Sequence, residues 1–147
     1  MSSPCGEGLG EQSVLKTWTN EKKTGRTAAQ LKRFFDELPE ATFCFDIGHA
    51  RQVDPTMQEA ETFLQCFRDR LRQVHMSYVN SQSRHERLNH ESVMAFRRVA
   101  ELIKDSIPVI LETPVSTESI DEEVSAAESV FGKTDFVEHR ALPASNA

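Results

Sequence analysis

The sequence has few cysteines, no long apolar run and no excess of basic charge, and each shortage argues against a class of protein. Its 147 residues contain three cysteines, Cys5, Cys44 and Cys66, and an odd number without close pairing argues against a disulfide framework. No apolar stretch approaches the roughly 20 residues of a membrane-spanning helix, and the N-terminus lacks the apolar core of a signal peptide. The formal net charge of -6 argues against capture of nucleic acid through bulk charge. We therefore expect a cytoplasmic protein that does not bind membranes and does not capture nucleic acid through bulk charge.

Several familiar binding motifs are missing as well. The sequence has no Walker A loop, no Gly-x-Gly-x-x-Gly stretch and no Cys-x-x-Cys pair. Its composition, with 38% hydrophobic and 27% charged residues, is typical of a globular domain that can bury a core. Cys44 lies in an apolar strand-like run and Cys66 on an apolar helical stripe, so both are predicted to be buried as small hydrophobic residues.

The chain divides into three parts by composition. Residues 1–26 are polar and predict a loop or N-terminal extension, residues 27–132 predict one α/β region, and residues 133–147 predict a polar tail. In the middle part, short apolar runs alternate with amphipathic stretches, which predicts a parallel sheet with right-handed crossovers.

Three strands and four helices are predicted within residues 27–132. The strands are expected at residues 41–45, 73–78 and 108–112. The helices are expected from a capping box at Thr27 and Gln30 to Leu38, from about 57 to 70, from 91 to 104, and from about 118 to 131 with Gly132 after the last turn. The remaining stretches, one through Asp54 and Pro55 and one from 80 to 89, are predicted to be loops. Three strands would leave long apolar edges, which favours a fragment of a larger fold or pairing with a second copy.

Each predicted strand leads to a side chain that suits a metal ion, namely Asp46, His75 and Glu112. Because the carboxyl ends of parallel strands lie at one edge of a sheet or barrel, these three side chains are expected to meet. Carboxylate oxygens and an imidazole nitrogen form a ligand set for a divalent cation. Taken singly, Asp46 also fits a helix cap and His75 a hydrogen-bonded core histidine, whereas an unpaired carboxylate at Glu112 would be costly. Gly48 is expected to allow a sharp backbone turn beside Asp46.

Other polar residues lie near these strand ends in the sequence. His49 is close enough to Asp46 to share a metal or touch a substrate, although a capping or solvent-exposed histidine is the alternative. His85, in the second predicted loop, is a candidate ligand or substrate contact. Arg84 beside it suits bidentate binding of a phosphate, with a solvated side chain as the alternative. His90 and His139 have no such context and are predicted to lie on the surface.

Three segments resemble the C-terminal half of the xylose isomerase-like TIM barrels, a superfamily of sugar isomerases, epimerases and endonuclease IV-like enzymes. Residues 43–50, Phe-Cys-Phe-Asp-Ile-Gly-His-Ala, look like the family's Asp-x-Gly-His segment. Residues 74–77 look like its strand ending in His-x-Ser, and residues 109–113 like its Ile-Leu-Glu strand. The resemblance extends over about residues 27–131. It implies a partial (β/α)8 TIM barrel of about three C-terminal βα units with parallel strands.

The resemblance also implies roles for the candidate residues. Asp46, His75 and Glu112 would bind a divalent metal, Mn²⁺ or Mg²⁺ in the isomerase branch and Zn²⁺ in the nuclease branch. His49 would contact the substrate in the isomerase branch or bind a second metal in the nuclease branch. Glu112 would also be one of two acid/base carboxylates that move a proton between adjacent carbons of a sugar or sugar phosphate.

Three functions follow as alternatives. The first is a metal-dependent sugar or sugar-phosphate isomerase or epimerase, represented here by a C-terminal piece. The second is a zinc-dependent nuclease for abasic DNA, although that branch has a carboxylate two residues before the loop histidine, where this chain has Ser83. The third is a catalytically silent half-barrel that associates with itself or a partner, because the first half of the barrel and its second acid/base glutamate are not found in the sequence.

Overall fold

The apolar runs of the sequence form strands in the structure, and the amphipathic stretches form helices. The structure is a computed structural model that describes residues 27–132 and the backbone of residues 14–16. Its strands are β1 Val14–Lys16, β2 Thr42–Asp46, β3 Leu71–Met76, β4 Tyr78–Val79, β5 His85–Glu86 and β6 Val109–Leu111. Its helices are α1 Ala28–Glu37, α2 Ile47–Val53, α3 Gln58–Phe67, α4 His90–Ala100 and α5 Ile120–Val130, with a 3-10 turn at Arg68–Arg70.

Four strands form one parallel sheet in the order β1-β2-β3-β6. Strand pairing places Asp46 of β2 beside His75 of β3, and His75 beside Ile110 of β6. Strands β4 and β5 form a separate antiparallel hairpin. The predicted α/β class with parallel strands is confirmed.

The structure differs from the local predictions at three places. Within the predicted N-terminal loop, residues 14–16 form β1 and pair with β2. The rest of residues 1–26 and the predicted tail 133–147, and with them Cys5 and His139, lie outside the described residues. The predicted loop through Asp54 begins with helix α2, and the predicted loop from 80 to 89 contains β5. Elements of two to seven residues are too short to show the periodic pattern by which a sequence reveals helices and strands.

One face of the sheet is packed against helices. Phe43 and Phe45 of β2, with Val74 and Met76 of β3, belong to the apolar core, and all four are fully buried. Phe63 of α3 contacts both strand phenylalanines, with ring centroids 4.7 Å and 5.9 Å apart. The sheet is therefore anchored to its helical layer by aromatic packing, which holds the strand ends in a fixed position.

The alternate residues of the same strands face away from that core, because successive side chains of a strand point to opposite faces. Cys44, Asp46, Gln73 and His75 lie on this second face and take no part in the core cluster. At the edge strand β6, the side chain of Ile110 is 43% exposed. The second face is thus the polar one, and it leads to the strand ends that carry the candidate site.

The two cysteines that the structure describes differ in burial. Cys44 is buried, as predicted. Cys66 is exposed, so the prediction that it is a core residue is wrong. Helix α3 buries Ala60, Phe63 and Leu64, and Cys66, two residues after Leu64, lies about 200° around the helix from it and so outside that stripe.

The helix ends follow the predicted signals. The hydroxyl of Thr27 accepts a hydrogen bond from the backbone N–H of Gln30 at 3.2 Å and caps α1. Gly132 follows α5 with a φ of +65°, the left-handed conformation that glycine adopts at a helix end. His90 is exposed at the start of α4, as expected for a surface histidine.

Candidate metal centre

Asp46, His75 and Glu112 come together at the carboxyl ends of β2, β3 and β6. One ligand atom from each of the three lies within 4.8 Å of the others. Two ligands on opposite sides of one metal are separated by about 4 Å when each bond is about 2.1 Å long, so small side-chain rotations bring these atoms into a coordination sphere. The structure therefore brings together the three strand-end residues that the sequence singles out.

Asp46 both ends β2 and begins α2. Its Oδ1 accepts a hydrogen bond from the backbone N–H of His49 at 3.0 Å, and this bond caps the helix. The capping alternative is thus correct, but it is compatible with metal binding because a carboxylate has about four lone-pair sites. The cap fixes the direction of a side chain that is 1% exposed.

Both ring nitrogens of His75 have polar neighbours. Nδ1 lies 2.7 Å from Glu112 Oε1, and Nε2 lies 2.7 Å from the amide nitrogen of Gln73. Because that amide donates to Nε2, the neutral ring carries its proton on Nδ1, the nitrogen that lies beside Glu112. If the Gln73 amide rotates by half a turn, its oxygen accepts a hydrogen bond from a protonated Nε2, and the unprotonated Nδ1 becomes the acceptor that a metal requires.

Glu112 is the residue directly after β6, and it continues the hydrogen bonding between β6 and β3. Its backbone N–H donates to the carbonyl of Met76 at 3.1 Å, so the residue stays in line with the sheet. Besides the contact of Oε1 with His75, its Oε2 lies 3.9 Å from Nδ1 of His85. The carboxylate of Glu112 therefore lies between two histidines, His75 and His85.

Gly48 matters because it has no side chain, not because it allows a sharp turn of the backbone. It lies in the first turn of α2, and a Cβ at this position would lie 2.5 Å from the carbonyl oxygen of Ser77 and 2.8 Å from Cγ2 of Val79. Its φ is outside the left-handed region, so the predicted reason for this glycine is wrong. The absence of a side chain lets α2 approach β3 and β4 closely, which places Asp46 and His49 over the strand ends.

His49 and His85 contact each other beside the three candidate ligands. Their ring centroids lie 5.3 Å apart and their planes are nearly perpendicular. Nδ1 of His49 lies 3.1 Å from Gln52 Oε1, and Nδ1 of His85 lies 2.8 Å from Ser77 Oγ. His49 is only 8% exposed, which contradicts the solvent-exposed alternative for this residue.

The arrangement around His85 does not form a serine nucleophile. A Ser-His-acid relay requires the hydroxyl and the carboxylate on different nitrogens of the imidazole. Here Ser77 and Glu112 both face Nδ1 of His85. The sequence likewise offers no support for a nucleophilic role of Ser77.

Arg84 lies outside the group of close contacts. Its backbone closes the β4–β5 hairpin, where its N–H donates to Asn80 Oδ1 and its carbonyl accepts from the Asn80 N–H, both at 3.0 Å. Ser83 before it adopts a φ of 60°, and the Arg84 side chain is exposed. Of the predicted substrate contacts, His49 and His85 therefore lie at the site, whereas Arg84 extends from the hairpin into solvent.

The sequence analysis missed the residues that support the site. Gln73 lies two positions before His75 and so on the same face of β3, which was a signal for its contact with the histidine. Gln52 joins α2 to the hairpin, since its amide nitrogen donates to the carbonyl of Asn80 and to Ser83 Oγ. Glu123 is buried on α5, and its spacing of four and seven from the core residues Ala127 and Val130 was the signal.

No protein-family model matches the chain, and no curated protein matches it significantly. Within the part of the chain that the structure describes, no helix has the length and apolar character needed to cross a bilayer.

Proposed function

We propose that this protein binds a divalent cation through Asp46, His75 and Glu112 and catalyses proton transfer on a sugar or sugar phosphate, as an isomerase or epimerase. The observation that carries the proposal is the convergence of these three side chains within 4.8 Å at the ends of β2, β3 and β6. Active sites of α/β proteins with parallel strands lie at this edge of the sheet.

The donor set favours Mn²⁺ or Mg²⁺. Two carboxylates and one imidazole provide mainly hard oxygen ligands, which suit these ions, and Zn²⁺ is the alternative. When bound, the ion would supply Lewis-acid polarisation of a carbonyl or hydroxyl oxygen of the substrate.

The residues of this chain would then orient the substrate and move its proton. Glu112 would accept a proton from the carbon next to a carbonyl group of the substrate and return it to the neighbouring carbon, and so would act as the catalytic base. In the isomerases that the sequence resembles, a second carboxylate shares this acid/base work. His85 lies beside Glu112 and His49 contacts His85, so both histidines would hydrogen-bond substrate hydroxyls, while exposed Arg84 would reach a phosphate at the rim.

The proposed parent fold is the C-terminal part of an isomerase-like TIM barrel. Its support is a parallel sheet with helices packed on one face and with the candidate ligands at the carboxyl ends of its strands. In such a barrel the second, polar face of the sheet would line the interior.

A metal titration tests the proposal. We expect Glu112→Gln to weaken Mn²⁺ binding, measured by isothermal titration calorimetry, by at least about tenfold, since an amide is a poorer ligand and carries no charge. His90→Ala, which removes an exposed histidine, should leave the affinity unchanged. Equal effects of the two substitutions would contradict the metal site. Binding of one Mn²⁺ per chain would favour the isomerase, whereas binding of several Zn²⁺ would favour the nuclease.

A second candidate function is association without catalysis, as a half-barrel that pairs with itself or with a partner. The observation that favours it is the 43% exposure of Ile110 on β6, which has no further partner strand among the described residues, together with the 40% exposure of Val115 in the loop after β6. Sedimentation analysis of metal-free protein tests it: a stable dimer supports association, and a monomer at high concentration contradicts self-association.

A further inference from the structure

Helix α5 carries a buried carboxylate that the proposed chemistry does not use. Glu123 is 1% exposed. Its Oε1 accepts hydrogen bonds from the backbone N–H of Leu88 at 2.9 Å and from the hydroxyl of Thr113 at 2.8 Å. Its Oε2 accepts a longer bond from Nε of Arg87 at 3.4 Å. A buried charge without such donors would be costly, so this contact set accounts for how the carboxylate is accommodated.

The two segments held by Oε1 carry residues of the candidate site. Leu88 lies three positions after His85, and Thr113 directly follows Glu112. The side chains of His85 and Glu112 face each other at 3.9 Å between Nδ1 and Oε2. One oxygen atom of Glu123 thus joins the loop behind the histidine to the strand end behind the glutamate.

Arg87 completes the connection from the solvent side. It donates to Glu122 at 2.8 Å and to Glu123 at 3.4 Å. The hydrogen bond to Glu122, followed by the one to Glu123, raises the pKa of Arg87, so the guanidinium stays charged beside the buried carboxylate. The carboxylate of Glu123 therefore has a cationic neighbour within this chain.

We propose that Glu123 is a positioning residue that sets the spacing between His85 and Glu112 by holding the segments behind them together. This inference rests on the proposed function, because the spacing matters only if Glu112 binds a metal and His85 faces the substrate. An equivalent structural connection needs no buried charge, since an apolar side chain on α5 would anchor the helix equally well. A carboxylate differs in that it fixes the direction and length of two hydrogen bonds.

The test separates positioning from general stability. Glu123→Ala removes every acceptor, while Glu123→Gln keeps one oxygen for Leu88 and Thr113 but loses the charge that Arg87 contacts. Ala127→Gly is the matched control, because it weakens the same helix one turn further on without touching these contacts. Urea unfolding measures the stability of each variant, and calorimetry measures its Mn²⁺ affinity.

We expect Glu123→Ala to weaken Mn²⁺ binding by about tenfold to hundredfold, the usual effect of removing a residue that supports metal ligands. Glu123→Gln should bind Mn²⁺ more tightly than Glu123→Ala but more weakly than the wild type. If the alanine variant does not fold, the comparison of the glutamine variant with the wild type still tests the proposal. Ala127→Gly should retain the wild-type affinity although it unfolds at lower urea. A loss of affinity with Ala127→Gly as large as with the Glu123 variants would overturn the positioning role.

A second readout does not need the metal. In metal-free protein, the ring signals of His85 in NMR spectra should shift in Glu123→Gln and stay in place in Ala127→Gly. If the wild type binds no Mn²⁺, the proposed function fails, but a shift of the His85 signals would still support the connection through Glu123. Unchanged His85 signals in Glu123→Gln would refute the connection whether or not the metal binds.

Discussion

Replacing Gly48 by alanine tests how α2 is seated on the sheet. An alanine Cβ would lie 2.5 Å from the carbonyl oxygen of Ser77 and 2.8 Å from Cγ2 of Val79. The first of these atoms belongs to the backbone next to β3, and Ser77 is 1% exposed, so it has little room to move. The clash can be relieved only by lifting α2 away from the sheet.

Two effects of opposite sign decide the magnitude. Glycine in a helix is less favourable than alanine by about 1 kcal/mol, so Gly48→Ala gains that amount from helix propensity. Overpacking of a filled interior costs about 1–3 kcal/mol, and a backbone oxygen as the obstacle places this site at the upper end. We therefore expect a net loss of about 2 kcal/mol in the free energy of unfolding, since the overpacking cost exceeds the propensity gain.

Urea unfolding followed by circular dichroism measures this loss. A change of this size lowers the melting temperature by about 4–8 °C in a chain of this length. Gly132→Ala is the comparison, because nothing lies within 4 Å of a Cβ there and only its left-handed φ of +65° opposes alanine. A Gly48→Ala protein as stable as the wild type, or more stable, would refute the close approach of α2 to β3.

Two further substitutions test the site and the acid stability of the fold. Gln73→Leu should weaken Mn²⁺ binding by about tenfold, measured by calorimetry, because it removes the amide 2.7 Å from Nε2 of His75. Asp54→Ala should cost about 1 kcal/mol at neutral pH, measured by urea unfolding, because the carboxylate accepts hydrogen bonds at the start of α3. Burial acts to raise the pKa of Asp54, but hydrogen bonds from Glu59 and Thr56 outweigh it and lower the pKa below its ordinary value. The stabilisation by Asp54 is therefore complete above the unfolded pKa and lost as the pH falls through the folded pKa, so the stabilities of wild type and variant should converge below the folded pKa.

Matched variants control both measurements. Gln65→Leu replaces an exposed glutamine of α3 and should leave Mn²⁺ affinity unchanged. An equal loss with Gln65→Leu and Gln73→Leu would show that the amide beside His75 has no special role. Asp121→Ala, the control for Asp54→Ala, removes an exposed carboxylate at the start of α5. If the cost of Asp54→Ala does not change between neutral and acid pH, its hydrogen bonds do not depend on the charge.

The candidate ligands could be predicted from the sequence because the signal for them is local. Apolar runs predict buried strands, and each run leads into a polar residue at Asp46, His75 or Glu112. Because the strands are parallel, their carboxyl ends all lie at one edge of the sheet, and this prediction does not require the contacts between the three residues. The capping signal at Thr27 and the glycine after α5 are local in the same way.

Other parts of the fold are decided by contacts between distant segments. Helix α2 begins with four buried residues, so it shows no amphipathic pattern, and it forms where Gly48 can approach β3. The β4–β5 hairpin is only two residues long on each strand and depends on Asn80 and Gln52 for its hydrogen bonds. Periodicity cannot predict elements whose burial comes from tertiary packing instead of from one exposed and one buried face.

By itself the sequence determined the α/β class, the parallel strands and the three residues at the strand ends, because these depend on patterns within a few residues. Tertiary structure alone decided which partner each of these residues has. The amide of Gln73 faces His75, the cap of Asp46 holds α2, and Glu123 on α5 holds the segments behind His85 and Glu112. The contacts of Glu123 join residues 10 and 35 positions apart, and such contacts depend on how helices pack on the sheet. The physical reason is that strand direction is a property of the local chain, whereas hydrogen-bond geometry is set only after the layers have packed.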